Sequence, residues 1–149
     1  MIPQLPKVPS DSFIGRYMEY MSGLETAQVF DFWSALWLMS VAFGRTVIVD
    51  RPRLPVHMNI FAIFVAESGW ARKSTAEKEA MKIAREFVLK NRPETILVAD
   101  ATSPQQFVNE LVTQTKTNGE ATAVIGISEL VRFLGRGAMS TDMPGLLTD

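Results

Sequence analysis

The residues best suited to chemistry lie in "AESGWARKST", residues 66 to 75. Lys73, followed by Ser74 and Thr75, puts a cation and two hydroxyls in succession. A phosphate-binding loop uses this set: backbone N–H groups curl around phosphate oxygens, the lysine reaches the outer phosphates and a hydroxyl takes a place on Mg²⁺. Such loops usually carry glycine at two places ahead of the lysine. Here those places hold Glu67 and Arg72, and Gly69 is the only glycine of the stretch. Arg72 lacks glycine's freedom at positive φ, so the loop is expected to take a conformation that a side chain tolerates. Glu67 must point away from phosphate or meet a cation. By themselves the ten residues fit a helix start capped by Ser or Thr equally well.

The surrounding segments favour a site. "VHMNIFAIFVA", 56 to 66, is a continuous apolar run, which predicts a central strand buried on both faces of a parallel sheet. "TAEKEAMKIAREFVLKN" follows the loop as a helix, with Ala76, Ala80, Ile83, Ala84, Phe87 and Val88 on one face. Strand, loop, lysine and helix therefore stand in the order that a Walker A motif needs. Further on, "TILVAD", 95 to 100, reads as a strand. "SPQQF" opens a helix with Ser103 at the N-cap, Pro104 in the first turn and Gln106 at the capping-box position. "KTNGE" is a turn, and "ATAVIGI", 121 to 127, is a third core strand.

An NTPase also needs a carboxylate at the end of a neighbouring strand, to hold Mg²⁺ through water or to orient the attacking water. "AVIGISEL" ends in Ser128-Glu129 and resembles a Walker B strand, with Ser128 where Asp more often stands. Glu129 would polarise the lytic water; Ser128 could bind a metal-bound water but brings no charge. A core strand ending in polar residues gives the same letters. Asp100, Thr102 and Gln105 could also reach the site side of the sheet, although a strand end beside the Ser103 cap explains them as well. Arg132, Arg136 and the cluster Arg45, Arg51 and Arg53 fit solvated surfaces, and Trp70 fits packing beneath the loop.

Ahead of the loop, residues 1 to 12 carry three prolines and read as an extended arm. A short helix from Phe13 to Met21 ends near Gly23, and a longer one runs from about Thr26 to Phe43 with Gly44 as its stop. Trp33 and Trp37 on that helix read as core. "TVIVD", 46 to 50, is a strand and "RPRLP" a loop. "FDFWSALWLMSVAF" is too short to span a bilayer and contains Asp31, so no membrane association is expected.

Composition narrows the rest. A chain of 149 residues fits one domain with a real core. The net charge of −1 argues against a broad basic face for duplex DNA but leaves room for a local groove for a single strand. There is no cysteine, hence no disulfide, thiolate zinc site or thiol nucleophile, and the single histidine, His57, leaves no His-rich metal site. The N-terminus lacks the pattern of a signal peptide, and a cytoplasmic protein is expected.

Taken together, "ESGWARKST", the lead-in "FGRTVIVD" and "MNIFAIFVAESG", and "ISELVRFLGR" resemble the RecA-like P-loop ATPase domain of phage and mobile-element primase-helicases. That group tolerates an arginine before the lysine. The similarity covers residues 26 to 149, leaving 1 to 25 as an arm and short helix. The resemblance implies an α/β fold, a three-layer P-loop NTPase with a parallel sheet preceded by N-terminal helices. It implies ATP and Mg²⁺ as ligands, single-stranded DNA as the partner of a full-length homo-oligomeric helicase or primase-helicase, and ATP hydrolysis. Carried over, Ser68, Gly69, Trp70, Ala71, Arg72, Lys73, Ser74 and Thr75 bind the nucleotide. Lys73 contacts the β- and γ-phosphates, Ser74 ligates Mg²⁺ with Ser128 as its further metal-side group, and Glu129 is the catalytic carboxylate. Ser128 departs from the pattern. The ending "GLLTD" comes before the later strands of such cores, so the chain looks like the front part of a longer protein. Two other functions fit the residues: a nucleotide-binding module without turnover, and a P-loop small-molecule kinase.

Overall fold

The computed structural model describes residues 5–67, 71–98 and 102–128. It is a mixed helix and strand protein with two small sheets. The chain divides into two compact units, Met1–Asn91 and Arg92–Asp149, a boundary within the expected 26–149 span.

The first unit is built on three helices. Helix α1 (Phe13–Met21) begins at Ser12, whose hydroxyl accepts from the Gly15 N–H at 3.1 Å, satisfying one of the free donors of a first turn. The arm crosses this turn so closely that a Cβ on Gly15 would lie 2.3 Å from the Pro9 carbonyl oxygen, which requires glycine there. A 3₁₀ turn (Ser22–Leu24) ends at Glu25 in the left-handed region. Helix α2 (Gln28–Phe43) stops at Gly44, whose positive φ of 51° and N–H bond to the Ser40 carbonyl close it as expected. Helix α3 (Lys73–Asn91) buries Ala76, Ala80, Ala84 and Val88, a four-residue repeat that runs straight up one face. Three alanines in that row let α2 come close, and the α2–α3 and α1–α2 contacts form the core with Tyr17, Met21, Phe30, Ala35 and Leu38.

One expectation for α2 needs correction. Trp33 is exposed rather than core, lying edge-on to Phe32 at 5.9 Å, because the faces of α2 turned to α1 and α3 are filled by other residues. Asp31 is buried, where Thr26 donates to it at 2.7 Å. Desolvation of this carboxylate raises its pKa, and the Thr26 hydrogen bond offsets part of the rise.

The predicted strand over 56–66 is also corrected. Only Val56–His57 (β2) pairs, and it does so antiparallel with Ile48–Val49 (β1), in the register Ile48 to His57 and Val49 to Val56. The loop "RPRLP" makes the hairpin connection. After His57 the chain carries no regular structure up to Glu67. Phe61, Ile63 and Val65 are 90, 74 and 82% exposed. A strand buried on both faces needs hydrogen-bonded neighbours and two covering layers. Among the described residues the backbone of residues 60–65 pairs with neither sheet, so the apolar run lacks what would make it a central strand. Phe64 stacks on Phe30 of α2 at 4.7 Å.

The second unit holds a β-α-β element. Strand β3 (Ile96–Val98) and strand β4 (Ala123–Ile125) are parallel neighbours, in the register Ile96 to Ala123, Leu97 to Val124 and Val98 to Ile125, with helix α4 (Pro104–Asn118) as the crossover. Ser103 caps α4 by accepting from the Gln106 N–H at 3.2 Å, as expected. The Gln106 side chain does not complete a capping box but donates to Glu110 at 2.9 Å. Gly119, at φ 80°, ends the helix. Gln114 joins the two strand entrances, its amide donating to the Glu94 carbonyl and accepting from the Thr122 N–H. The single parallel sheet expected for the whole chain is, among the described residues, one antiparallel hairpin and one parallel pair.

Candidate functional site

The site is best followed from the helix that anchors it. Helix α3 starts at Lys73, with the Arg72 carbonyl accepting from the N–H groups of Thr75 (2.9 Å) and Ala76 (3.2 Å). Arg72 therefore occupies the cap position, and it brings no side-chain acceptor to it. Ser74 and Thr75 lie inside the first turn, so neither is the N-cap that a plain capped helix would have used. Among the described residues, the N–H groups of Lys73 and Ser74 have no acceptor. The positive end of the helix dipole, about half an elementary charge, lies there.

Arg72 stands at φ 43°, the left-handed region. The expectation that the loop would avoid a glycine-type conformation at this position is thus corrected: the chain takes that conformation with an arginine. Its guanidinium is 2.5 Å from the carboxylate of Glu25, and both side chains are more than half exposed. The Ala27 N–H reaches the Ala71 carbonyl at 3.4 Å, so a second contact fastens the end of the loop to the turn before α2.

Lys73 folds back over the loop. Its Nζ donates to the Ala66 carbonyl at 3.0 Å, which joins the two ends of the 66–73 segment. The ammonium and the first amides of α3 thereby share one end of one helix, the arrangement that binds anions at helix N-termini. Glu67 is exposed, and Ser74 is exposed on the first turn. A polyphosphate suits these groups, since Lys73 and the two amides offer donors and positive charge. Among the described residues no cluster of three or more His, Cys, Asp or Glu side chains could hold a metal ion by itself.

The other expected residues divide as follows. Ser68, Gly69 and Trp70 of the loop lie outside the described residues, as do Glu129, Asp100, Arg132 and Arg136. Ser128 is described in the second unit, exposed just beyond β4. Thr102 and Gln105 are at the start of α4 in that unit. Glu25 and the Ala66 carbonyl were not legible as loop partners in the sequence. No local pattern connects Glu25 to a loop so far along the chain.

An open groove between α1 and α3, lined by Phe13, Arg16, Tyr17, Tyr20, Lys82 and Glu86 among others, contains none of the described loop residues. Within it Tyr20 donates to Glu79 at 2.9 Å. Burial pushes the Tyr17 hydroxyl up to about 12, with Ser34 opposing the rise; neither hydroxyl reaches good hydrogen-bond geometry among the described residues.

Comparison with protein-family models, with curated proteins and with solved structures finds no match to this chain. Among the described residues no helix is long and apolar enough to cross a membrane.

Proposed function

We propose that this chain binds ATP through the 66–75 loop as the P-loop ATPase domain of a replicative helicase or primase-helicase working on single-stranded DNA as a homo-oligomer. The observation that carries the reading is the Lys73 contact. A lysine at the first position of α3 is folded onto the Ala66 carbonyl, beside two backbone donors that have no acceptor among the described residues. In this reading Lys73 and the Lys73 and Ser74 amides neutralise phosphate oxygens, and the Ser74 hydroxyl takes a place on Mg²⁺. Bound Mg²⁺ would supply charge neutralisation across the outer phosphates. Glu129 is assigned the orientation of water and Ser128 a metal-bound water. The three-layer parallel sheet belongs to the same proposal, with the 56–66 segment as the strand that leads into the loop.

Binding without turnover is the second reading. It is favoured by Ser128, which places no charge where a metal-side carboxylate is usual.

The experiment is equilibrium binding of ATP with Mg²⁺ by wild type and by Lys73→Ala, followed by phosphate release with and without single-stranded DNA. Loss of binding in the variant is expected. Binding of equal strength by the two proteins would refute the site. Binding without phosphate release selects the second reading, and stimulation by single-stranded DNA separates a motor from a small-molecule kinase.

A further inference from the structure

Among the described residues of the first unit, two that are not glycine occupy the left-handed backbone region, Glu25 (φ 54°, ψ 30°) and Arg72 (φ 43°). This conformation is unfavourable for any residue with a Cβ. The two are distant in sequence, yet their side chains meet as an ion pair at 2.5 Å, beside the contact from the Ala27 N–H to the Ala71 carbonyl. The turn before α2 and the end of the loop are thus joined through two strained residues that face each other.

The pair also fixes where charge lies. Lys73 is engaged by a neutral carbonyl, which an anion can replace without an opposing charge being uncovered. Arg72 is engaged by a carboxylate, so its charge is already neutralised, and its side chain is held towards Glu25. With the pair more than half exposed, water and ions reach it, and it can open at small cost.

We propose that Glu25 is a positioning residue at the start of α3: its carboxylate occupies Arg72, and an anion entering there must compete with Glu25 for that guanidinium. The proposal rests on the reading of the loop as a phosphate site and deepens it. A multiply charged polyphosphate competes with one carboxylate more effectively than a singly charged anion does, so the pair raises selectivity for di- and triphosphates over weaker anions.

The test is calorimetric titration of the full chain with pyrophosphate and with ATP–Mg²⁺ at low salt. Glu25→Gln removes the charge at nearly constant size. Glu25→Gly removes it while suiting the left-handed backbone, so it covers the case in which the glutamine variant folds poorly. Both are expected to bind about two- to fivefold more tightly than wild type, the worth of an exposed ion pair, with a gain that shrinks as salt is added. Arg72→Gly should bind more weakly, and Glu25→Gln should have no effect on top of it. If wild type binds and Lys73→Ala does not, but neither Glu25 variant gains affinity, the competition by Glu25 is overturned while the phosphate site stands. If wild type binds neither ligand and the Glu25 variants do not either, the phosphate site itself fails and the competition with it. A gain that persists in the Arg72→Gly background also overturns the proposal, because Glu25 would then act through simple repulsion.

Discussion

Replacement of Arg72 by glycine and by alanine separates the two things this residue does. Its backbone stands at φ 43°, and its side chain pairs with Glu25. Holding a Cβ-bearing residue in the left-handed region costs about 1–2 kcal/mol. Glycine avoids that cost but gives the unfolded chain more freedom, worth about 0.4–1 kcal/mol against alanine. Arg72→Ala and Arg72→Gly both lose the ion pair, so that contribution cancels between them. Arg72→Gly should therefore be the more stable of the two by about 0.5–1 kcal/mol, or about 2–8 °C in Tm for a domain of this size. Within a helix the order is the reverse, glycine being about 1 kcal/mol worse than alanine. Against wild type, Arg72→Gly gives up an exposed pair worth about 0–1 kcal/mol and recovers the strain, so the two should lie within about 1 kcal/mol of each other. Urea unfolding followed by far-UV circular dichroism measures all three proteins. An Arg72→Ala variant as stable as Arg72→Gly would refute the left-handed conformation of this residue, and with it the close junction between the loop and α3.

Two further predictions concern the helical core. Asp31 is buried with its pKa raised above 3.8 by desolvation, so the folded state binds this proton more tightly than the unfolded state does. Stability from this group is therefore lost as pH rises from 3.8 through the raised folded-state value, and is level above it. Asp31→Asn keeps an oxygen to accept from Thr26 and removes the charge. Its stability advantage over wild type, from urea titrations between acid and neutral pH, should grow across that window and then flatten; an advantage that shrinks with rising pH would contradict the burial of a charged carboxylate. Ala80 lies in the alanine row between α3 and α2, where added volume has no space. Ala80→Leu should cost about 1–3 kcal/mol in chemical denaturation, while Lys78→Leu on the exposed side of the same helix should cost far less.

The sequence by itself determined the local elements, because their causes are local. Ser12 and Ser103 accept from amides three residues on, Gly44 and Gly119 end helices at positive φ, and the apolar face of α3 repeats within a few turns. The β-α-β order of the second unit follows in the same way from a strand pattern, a capped helix and a turn. Tertiary structure decided what needs a distant partner. The apolar run 56–66 has the composition of a central strand, but composition supplies no neighbouring strand, and beyond His57 its backbone pairs with neither sheet among the described residues. Trp33 has the composition of a core residue, but the helices packed on α2 chose other faces of it. At the loop, lysine, hydroxyls and helix were readable as letters. The conformation of Arg72 was not, because a left-handed arginine is unfavourable in isolation and here stands against a glutamate from a turn far away in the chain.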